Sequence, residues 1–408
     1  MENKNVPSIR FKGFIDDWEQ RKLGEITKRV RGNDNRMSLP ILTISASVGW
    51  LSQEERFSAN IAGKEQKNYT LLRKGELSYN HGNSKLAKYG VVFVLKDYEE
   101  ALVPRVYHSF KITEGSPLFI EEYFASKLPD RELGKLVSSG ARMDGLLNIG
   151  YESFVNIKLA IPSSDEQIKI GNFFKQLDET ITLYEREVEL LRITKKGFLQ
   201  QLFPENKQKH PSIRFKNFYK EWEQRKLENI SDETYGGGTP KTSIDEYWQG
   251  DLPWIQSSDL KIDKLSGVVP TKFITEDAIR NSATKIIPEN SIAVVTRVGV
   301  GKLSLIPFSY ATSQDFLSFS GLSINNEFGL YSLYLLLQRK LNNIQGTSIK
   351  GITKSDLLND IIQVPLESEE QTKIGNFFKQ LDETITLQEQ QLEKLKEMKK
   401  GYLQQMFI

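Results

Sequence analysis

Two glycine-rich stretches and one basic turn carry residue types that contact phosphates and nucleic-acid bases. The stretches are residues 235–242 (YGGGTPKT) and 296–302 (TRVGVGK), and the turn at 139–142 (SGAR) has a counterpart at 346–350 (GTSIK). Glycine lets a backbone approach a phosphate, while lysine and arginine neutralise it and arginine can pair with base edges. Neither stretch has the GxxxxGK[ST] spacing of a P-loop. Plain turns are the alternative interpretation.

Motifs for catalysis are missing from the sequence. His81, His108 and His210 form no HxxxH or HxE pair, and the sequence contains neither cysteine nor a GxSxG elbow. An Asp/Asn-Pro-Pro-aromatic motif for amino-methyl transfer is also missing. The carboxylate pairs at 178–179 and 382–383 are adjacent residues, which point in different directions on a helix. We therefore expect no catalytic residue and no metal site, with an enzyme of unrecognised site as an alternative.

The charge of the chain is balanced overall but uneven locally. The 408 residues include 55 Lys and Arg against 53 Asp and Glu, a net charge of +2, which argues against a polybasic nucleic-acid-binding tail. Residues 56–96 nevertheless hold eight basic and two acidic side chains, and residues 285–350 hold six and three. Any nucleic-acid surface must therefore be local. A solvated surface is the alternative.

The composition favours a cytoplasmic protein. A chain with 0 cysteines needs no oxidising compartment. No apolar run reaches the roughly 18 residues of a spanning helix, and the start MENKNVPSIRFK has no apolar core of a signal peptide.

The chain consists of one unit used twice. Residues 7–26 and 211–230 are identical at 14 of 20 positions, and residues 166–203 and 370–407 at 27 of 38, both pairs at an offset of 204. The segments between them share almost no identity. We call the repeated segments the frame and the divergent segments between them the inserts. Two inserts of similar length but different sequence argue for one fold that recognises two different targets. The repeated basic residues Arg10 and Arg214 are either solvated or contact a phosphate or partner.

The longer repeat predicts two long helices. Ser164-x-x-Gln167 and Ser368-x-x-Gln371 match a capping box, and apolar residues follow at spacings of four and three. At about 1.5 Å per residue each helix is roughly 55 Å long. Each apolar stripe needs a cover, and we expect the two helices to pair through these residues: Phe174, Leu177, Ile181, Val188, Leu191, Phe378, Leu381, Ile385, Leu392 and Leu395.

The inserts predict mixed α/β structure with short strands. Residues 18–23, 90–95, 101–107, 290–296 and 302–306 are expected strands, and residues 121–128 and 330–341 are expected helices. The expected fold class is α/β (mixed), with two globular α/β domains joined by two long helices. These helices would pair as an antiparallel coiled coil, related by an internal pseudo-twofold repeat.

These features resemble the specificity (S) subunit of type I restriction–modification systems. The resemblance covers essentially the whole chain and rests on the order of motifs. They are RFKxFxxxWEQRKLxxI at the start of each half, GGGTPKT followed by Tyr247-Trp248 and residues 250–254 (GDLPW), the 296–302 loop, and EQxKIGNFFKQLDxxI at each long helix. The first insert departs from the pattern, because residues 31–36 (RGNDNR) stand in place of the GGTP loop.

The resemblance implies a role and a domain plan. Target recognition domains at residues 1–163 and 205–367 would each read one part of a bipartite double-stranded DNA target, and spacer helices at 164–204 and 368–408 would set the spacing. Two modification (methyltransferase) subunits would dock on the frame, and restriction (translocase/nuclease) subunits would join the complex. S-adenosylmethionine, ATP and magnesium would belong to those partners, so the chain itself would be non-catalytic.

Candidate DNA contacts follow from the basic loops and the resemblance. We predict the following residues: Arg29, Arg31, Lys85, Lys88, Arg105 and Arg142 in the first insert, and Thr239, Lys241, Arg297, Lys302, Gln314 and Lys350 in the second. A scaffold protein with a duplicated coiled coil and no DNA role is the remaining alternative.

Overall fold

The chain divides into two compact units, each of which combines parts of both repeats. The computed structural model describes residues 6–57, 63–82, 84–137, 146–205, 208–343 and 351–408. Unit 1 comprises Met1–Arg186 and Gln390–Ile408, and unit 2 comprises Glu187–Glu389. Each unit therefore takes its insert from one repeat and part of its helical frame from the other.

Unit 1 has short strands and helices followed by the start of a long helix. Its strands are β1 (Glu19–Lys22), β2 (Thr27–Arg29), β3 (Leu42–Ser45), β4 (Gly49–Ser52), β5 (Thr70–Arg73), β6 (Leu77–Asn80), β7 (Val91–Val94), β8 (Glu100–Val103), β9 (His108–Ile112) and β10 (Lys158–Ile161). Its helices are α1 (Gln53–Phe57), α2 (Pro117–Ala125), α3 (Asp130–Leu136), α4 (Tyr151–Val155) and the first part of α5 (Ser164–Gln201).

Unit 2 repeats this plan with different residues. Its strands are β11 (Glu223–Lys226), β12 (Ser231–Gly236), β13 (Leu252–Ile255), β14 (Lys272–Ile274), β15 (Ser291–Val295), β16 (Leu303–Ile306), β17 (Ala311–Thr312), β18 (Phe316–Leu322) and β19 (Ile361–Val364). Its helices are α6 (Glu276–Arg280), α7 (Asn326–Asn343), α8 (Lys354–Leu358) and the first part of α9 (Ser368–Gln405).

The two inserts share one sheet topology although their sequences have almost no identity. The main sheet of unit 1 has the order β2-β9-β6-β7, and that of unit 2 has the order β12-β18-β15-β16, with all neighbours antiparallel. A separate two-stranded pair joins the frame to each insert, β1 with β10 and β11 with β19. The mixed α/β fold with an internal repeat is therefore confirmed.

Two predicted elements end earlier than expected. The strand predicted over 101–107 stops at Val103, because Pro104 has no backbone N–H and Tyr107 N closes a turn on its carbonyl oxygen. The helix predicted over 121–128 stops at Ala125, and Lys127 adopts a left-handed φ of 66°. The other predicted strands and the second helix lie where expected.

A buried ion pair ties the start of each repeat to its long helix. Arg10 makes two 2.7 Å hydrogen bonds to Glu166, and Arg214 makes the same pair to Glu370. Both glutamate side chains are 0% exposed. These arginines are therefore neither solvated nor free for a phosphate. Removing one partner of such a pair would leave a buried charge uncompensated, which typically costs ~3–5 kcal/mol.

The prediction that Gln167 and Gln371 form capping boxes is wrong, because these glutamines have other hydrogen-bond partners. Each long helix already includes its serine, and the glutamine reaches backward to the preceding proline: Gln167 Nε2 donates to Pro162 O, and Gln371 Nε2 donates to Pro365 O, both at 2.9 Å. Their Oε1 atoms accept hydrogen bonds from the residues that precede α2 and α7. The glutamines thus join each insert helix to the long helix, instead of capping the helix that contains them.

Glycine permits this junction between insert and frame. A Cβ atom on Gly171 would lie 2.8 Å from Leu118 Cβ and 2.9 Å from Phe119 N. A Cβ atom on Gly375 would lie 2.8 Å from Phe328 N. Such distances are shorter than ordinary van der Waals contact, so only glycine lets the start of α2 or α7 pack directly on the long helix.

The long helices pack against each other in antiparallel directions within unit 1. Phe173 contacts Tyr402 with ring centroids 5.1 Å apart, and further along α5 Asp178 accepts a 2.7 Å hydrogen bond from Lys399. Still further along, Glu185 pairs with Lys396 at 2.7 Å. The partner numbers fall as the α5 numbers rise, which defines the antiparallel direction.

Unit 2 contains the same contacts with the roles of the helices exchanged. Phe198 contacts Phe377 at 5.1 Å, Lys195 pairs with Asp382 at 2.5 Å, and Arg192 pairs with Glu389 at 2.6 Å. Each pair corresponds to a pair of unit 1 after a shift of 204 residues. The antiparallel pairing of the two helices is therefore confirmed within each unit.

The predicted pairing residues are all at least partly buried. Four are buried, namely Phe174, Val188, Phe378 and Ile385, and six are partly buried: Leu177, Ile181, Leu191, Leu381, Leu392 and Leu395. Leu183 of α5 and its repeat equivalent Leu387 of α9 are 55% and 65% exposed, so they lie on the side of each helix that faces away from the apolar stripe.

The polar positions within the stripe differ between the units. Lys399 contacts both Asp178 and Glu122, whereas Lys195 contacts Asp382, which also accepts a hydrogen bond from the Tyr331 hydroxyl. Burial raises the pKa of Glu122 from its ordinary 4.5 to about 7, against the opposing charge of Lys399. In unit 1 the charge of Lys399 therefore faces two carboxyl groups. In unit 2 the charge of Lys195 faces one carboxylate, which also binds a tyrosine hydroxyl.

We predict that the double substitution Leu177→Asp and Leu381→Asp strongly destabilises the chain. Each change places a carboxylate against the facing helix, at an expected cost of about 2 kcal/mol or more per site. Urea unfolding followed by circular dichroism measures the effect. The matched control is Leu183→Asp with Leu387→Asp, which should alter the free energy of unfolding by less than about 0.5 kcal/mol. Equal stability of the two double variants would contradict this helix packing.

Candidate nucleic-acid interface

The predicted contact residues of the first insert lie at one end of the main sheet. β2 ends at Arg29, which pairs with Phe110 of β9, and β6 ends at Asn80, which pairs with Val91, the first residue of β7. Loops that leave or enter the sheet at this end carry four exposed basic residues: Arg31, Lys85, Lys88 and Arg105. The sheet thus brings together basic side chains that are up to 76 positions apart in the sequence.

A stack of rings supports this end of the sheet. The Arg29 guanidinium carbon lies 3.8 Å from the ring centroid of Tyr151. Tyr151 meets His108 edge-on at 5.6 Å, and His108 stacks on His81 at 5.0 Å. Burial lowers the pKa of His108 to about 4, so its ring is neutral at neutral pH and Nε2–H donates to Ile149 O at 2.8 Å. The arginine therefore lies on a buttressed ring, and Glu152 Oε1 lies 4.0 Å from its Nη1.

His81 connects two loops at the same end. Its Nδ1 lies 2.7 Å from Leu147 O and its Nε2 lies 2.9 Å from Val106 O. Because Arg105 precedes Val106, the ring positions the loop that carries this arginine. Arg142 itself lies outside the described residues.

The predicted residues of the second insert lie at the corresponding end of its sheet. β12 ends at Gly236, opposite Leu317 near the start of β18, and β15 ends at Val295, opposite Phe316. The loops that follow β12 and β15, and the loop that precedes β18, carry these residues: Thr239, Lys241, Arg297, Lys302 and Gln314. The two inserts therefore present their candidate residues from equivalent positions of one topology.

The glycine-rich loop after β12 packs closely against the chain itself. A Cβ atom on Gly237 would lie 1.9 Å from Ser313 O, and one on Gly238 would lie 2.7 Å from Ala283 C. The Thr239 hydroxyl donates to Gln314 Oε1 at 2.6 Å. These glycines allow the loop after β12 to pack closely against neighbouring parts of the chain. Thr239 and Gln314 lie side by side there, and both are exposed.

The second glycine-containing loop holds one basic residue in place and exposes another. Lys302 Nζ donates to Ser257 O at 2.9 Å, which anchors the end of the loop to the segment after β13. Arg297 is exposed, and the preceding Thr296 accepts a 2.7 Å hydrogen bond from Ile352 N. Lys350 lies outside the described residues, although Ile352 places the chain that follows it at this end of the sheet.

The chain is similar to several known proteins. A family model described as "Type I restriction modification DNA specificity domain" matches residues 219–397. The putative type I restriction enzyme MjaX specificity subunit of Methanocaldococcus jannaschii is 22% identical over 423 residues, covering 98% of this chain and 95% of that protein. The MjaIX specificity subunit of the same organism is 30% identical over 198 residues, covering 46% and 44%.

A solved structure shares the fold. The crystal structure of a type I restriction–modification S subunit from M. genitalium superposes with a TM-score of 0.63 at 13% identity, covering 99% of each chain. The sequence relatives and this full-length fold agree with the duplicated motifs. The chain is therefore similar along nearly its whole length to type I specificity subunits, and residues 219–397 match the DNA specificity domain of that family. Members of this family are generally non-catalytic components of their complexes.

Further residues contact the candidate residues or form similar contacts of their own. Tyr151, the support of Arg29, has no signal in the sequence, since a tyrosine at the start of a short helix is unremarkable. In the second insert, Lys272 Nζ lies 5.6 Å from the ring centroids of both Trp248 and Trp254. Only the second tryptophan is buried. Lys272 lies opposite Trp254 in the β13–β14 pair, a juxtaposition that only the strand register reveals.

Among the described residues, no cluster of three or more His, Cys, Asp or Glu side chains has the geometry to hold a metal ion. The helices within the described ranges include none that combines the length and apolar character needed to cross a membrane.

We predict that Arg297→Ala and Lys302→Ala have different effects on the specificity subunit. Arg297→Ala should weaken binding to the preferred duplex by about 1–3 kcal/mol and leave the melting temperature unchanged, because the side chain is exposed. Lys302→Ala should lower the stability by about 1–2 kcal/mol, because it removes the hydrogen bond to Ser257 O.

Fluorescence anisotropy and thermal unfolding measure the two quantities. The control is Lys226→Ala, an exposed lysine at the end of β11, which precedes the start of β12 and so lies toward the end of that strand opposite Gly236. DNA affinity that falls equally in the Arg297 and Lys226 variants would argue against the interface.

Proposed function

We propose that this specificity subunit reads a bipartite target in double-stranded DNA. The insert of unit 1 would read one part and the insert of unit 2 the other. The observation that carries the proposal is the repeated placement of basic and amide side chains at one end of the same four-stranded sheet in both units. The two sets of side chains differ, so the two parts of the target should differ in sequence.

The proposed contacts comprise three kinds of residue. Exposed basic residues such as Lys85, Lys88 and Lys241 suit phosphates, whose recognition needs charge but little geometry. Arg29 is held by Tyr151 and therefore suits a base edge, which requires a fixed geometry. The neighbouring Thr239 and Gln314 present hydrogen-bonding groups of a second type. Arg142 and Lys350 stay in the proposal on sequence grounds alone.

The duplicated frame supports docking of partner subunits in two equivalent copies. The exposed leucines Leu183 and Leu387 occupy the same position of the repeat, and Ile15 and Tyr219 form a second equivalent pair that is 86% and 81% exposed. Such repeated apolar residues on the outside of the frame suit two copies of one partner, which we propose to be modification (methyltransferase) subunits. Restriction subunits would then join the assembled complex.

We further propose that catalysis resides in those partners. S-adenosylmethionine would bind to the methyltransferase subunits, and ATP and magnesium would bind to the partner assembly. The specificity subunit would contribute DNA binding and spacing. Its net charge of +2 suits a subunit whose partners supply much of the phosphate contact.

The salt dependence of DNA binding tests this function. We expect the logarithm of the association constant for duplex DNA to fall linearly with the logarithm of salt concentration, with a slope of about −4 or steeper if roughly five phosphates are contacted. Methyl transfer from S-adenosylmethionine to the same duplex should require the methyltransferase subunits and should not occur with the specificity subunit alone. A flat salt response would instead support a scaffold without DNA contact.

A further inference from the structure

Unit 2 contains a cavity that the proposed DNA recognition does not use. It has a volume of about 220 Å³ and lies between α7, β19 and the residues that follow α5. Aromatic, aliphatic and polar groups all contribute to its wall, chiefly Phe203, Pro204, Ser332, Leu336, Arg339 and Gln363. All of these residues belong to one unit, so the cavity is a property of that unit by itself.

The corresponding position of unit 1 can be identified from the packing of α2 and α7. Gln167 and Gln371 bind the residues that precede these helices, Ser116 and Asn325. Three positions further along, Phe119 packs on Phe407 and Phe328 packs on Phe203, both with ring centroids 5.5 Å apart. Counting on from these pairs along each helix makes Tyr123 the equivalent of Ser332.

Tyr123 fills this position in unit 1. Its side chain is only 4% exposed, and its ring lies 5.7 Å from that of Phe407. Its hydroxyl donates to Ile408 O at 3.0 Å and accepts from Ala160 N at 3.1 Å. The equivalents of these three neighbours in unit 2 are Phe203, Pro204 and Gln363, which all line the cavity. Unit 2 therefore keeps the surroundings of the ring but lacks the ring.

Backbone groups beside the cavity match those that hold the hydroxyl in unit 1. The Tyr123 hydroxyl lies between Ile408 O and Ala160 N. Their equivalents in unit 2 are Pro204 O and Gln363 N. A ligand hydroxyl in the same place would donate to Pro204 O and accept from Gln363 N, while its ring would pack on Phe203.

We propose that this cavity is a binding site for a small para-substituted phenol. The phenol would supply the ring that Tyr123 supplies in unit 1, with its hydroxyl between Pro204 O and Gln363 N, as the Tyr123 hydroxyl lies between Ile408 O and Ala160 N. The volume suffices, since apolar cavities of about 150 Å³ bind benzene. The Arg339 guanidinium donates to Pro204 O at 3.3 Å and so stabilises the wall beside the ring. Bound ligand would link α7 to the strand pair that joins the insert of unit 2 to its frame.

Calorimetric titration of the full chain with 4-methylphenol tests the site. We expect saturable binding of one molecule per chain, with a dissociation constant of roughly millimolar order for so small a ligand. Toluene, which lacks the hydroxyl, should bind roughly fivefold more weakly, because the hydrogen bonds to Pro204 O and Gln363 N are lost. Non-saturable binding, or toluene binding as tightly as 4-methylphenol, would overturn the proposal.

Two reciprocal variants localise the site. Ser332→Tyr should occupy the cavity with its own ring, raise the melting temperature and weaken 4-methylphenol binding by roughly tenfold or more. Tyr123→Ser should create the equivalent cavity in unit 1 and raise the number of bound molecules from one to two. Because the second result depends on a gain of binding, it does not rely on the folding of the first variant. Unchanged binding by Ser332→Tyr, or unchanged stoichiometry in Tyr123→Ser, would contradict the assignment.

Discussion

The close approach of each insert to its long helix is the constraint on which the other features depend. Gly171 and Gly375 allow the first turns of α2 and α7 to touch α5 and α9, at distances that no other residue permits. The buried Arg10–Glu166 pair and its equivalent then fix the start of the repeat on the same helix. Since α2 and α7 also pack against the main sheets, this junction orients each sheet and its loops on the frame.

Ion pairs within the apolar stripe fix the register of the two helices. Lys399 meets Asp178 in unit 1 and Lys195 meets Asp382 in unit 2, so a shift of either helix would leave partly buried charges unpaired in both units. Buried ion pairs contribute little net stability, but their loss is costly, and they discriminate between alternative registers. Because of the duplication, both helices contribute equally to fixing the register: each supplies one lysine and one aspartate.

The sequence was most informative where the repeat itself carried the signal. Regular apolar spacing predicted both long helices and their pairing, because a stripe of that width must be covered. It could not reveal the partners of Gln167 or Arg10, which come from residues distant along the chain. The candidate DNA residues were chosen by type and local charge, yet their common end of the sheet depends on strand register. Tyr151 was missed, because only the fold brings it under Arg29.

The central claim is that each insert reads its own part of the target on a shared frame. Selection of bound sequences from random duplex DNA by the specificity subunit with its methyltransferase subunits tests it most directly. The chain should select two different half-sites with a constant gap, and a variant carrying residues 27–161 in place of 231–364 should select two copies of the first half-site with the same gap. A single contiguous target, or a second half-site that is unchanged in the variant, would contradict the account.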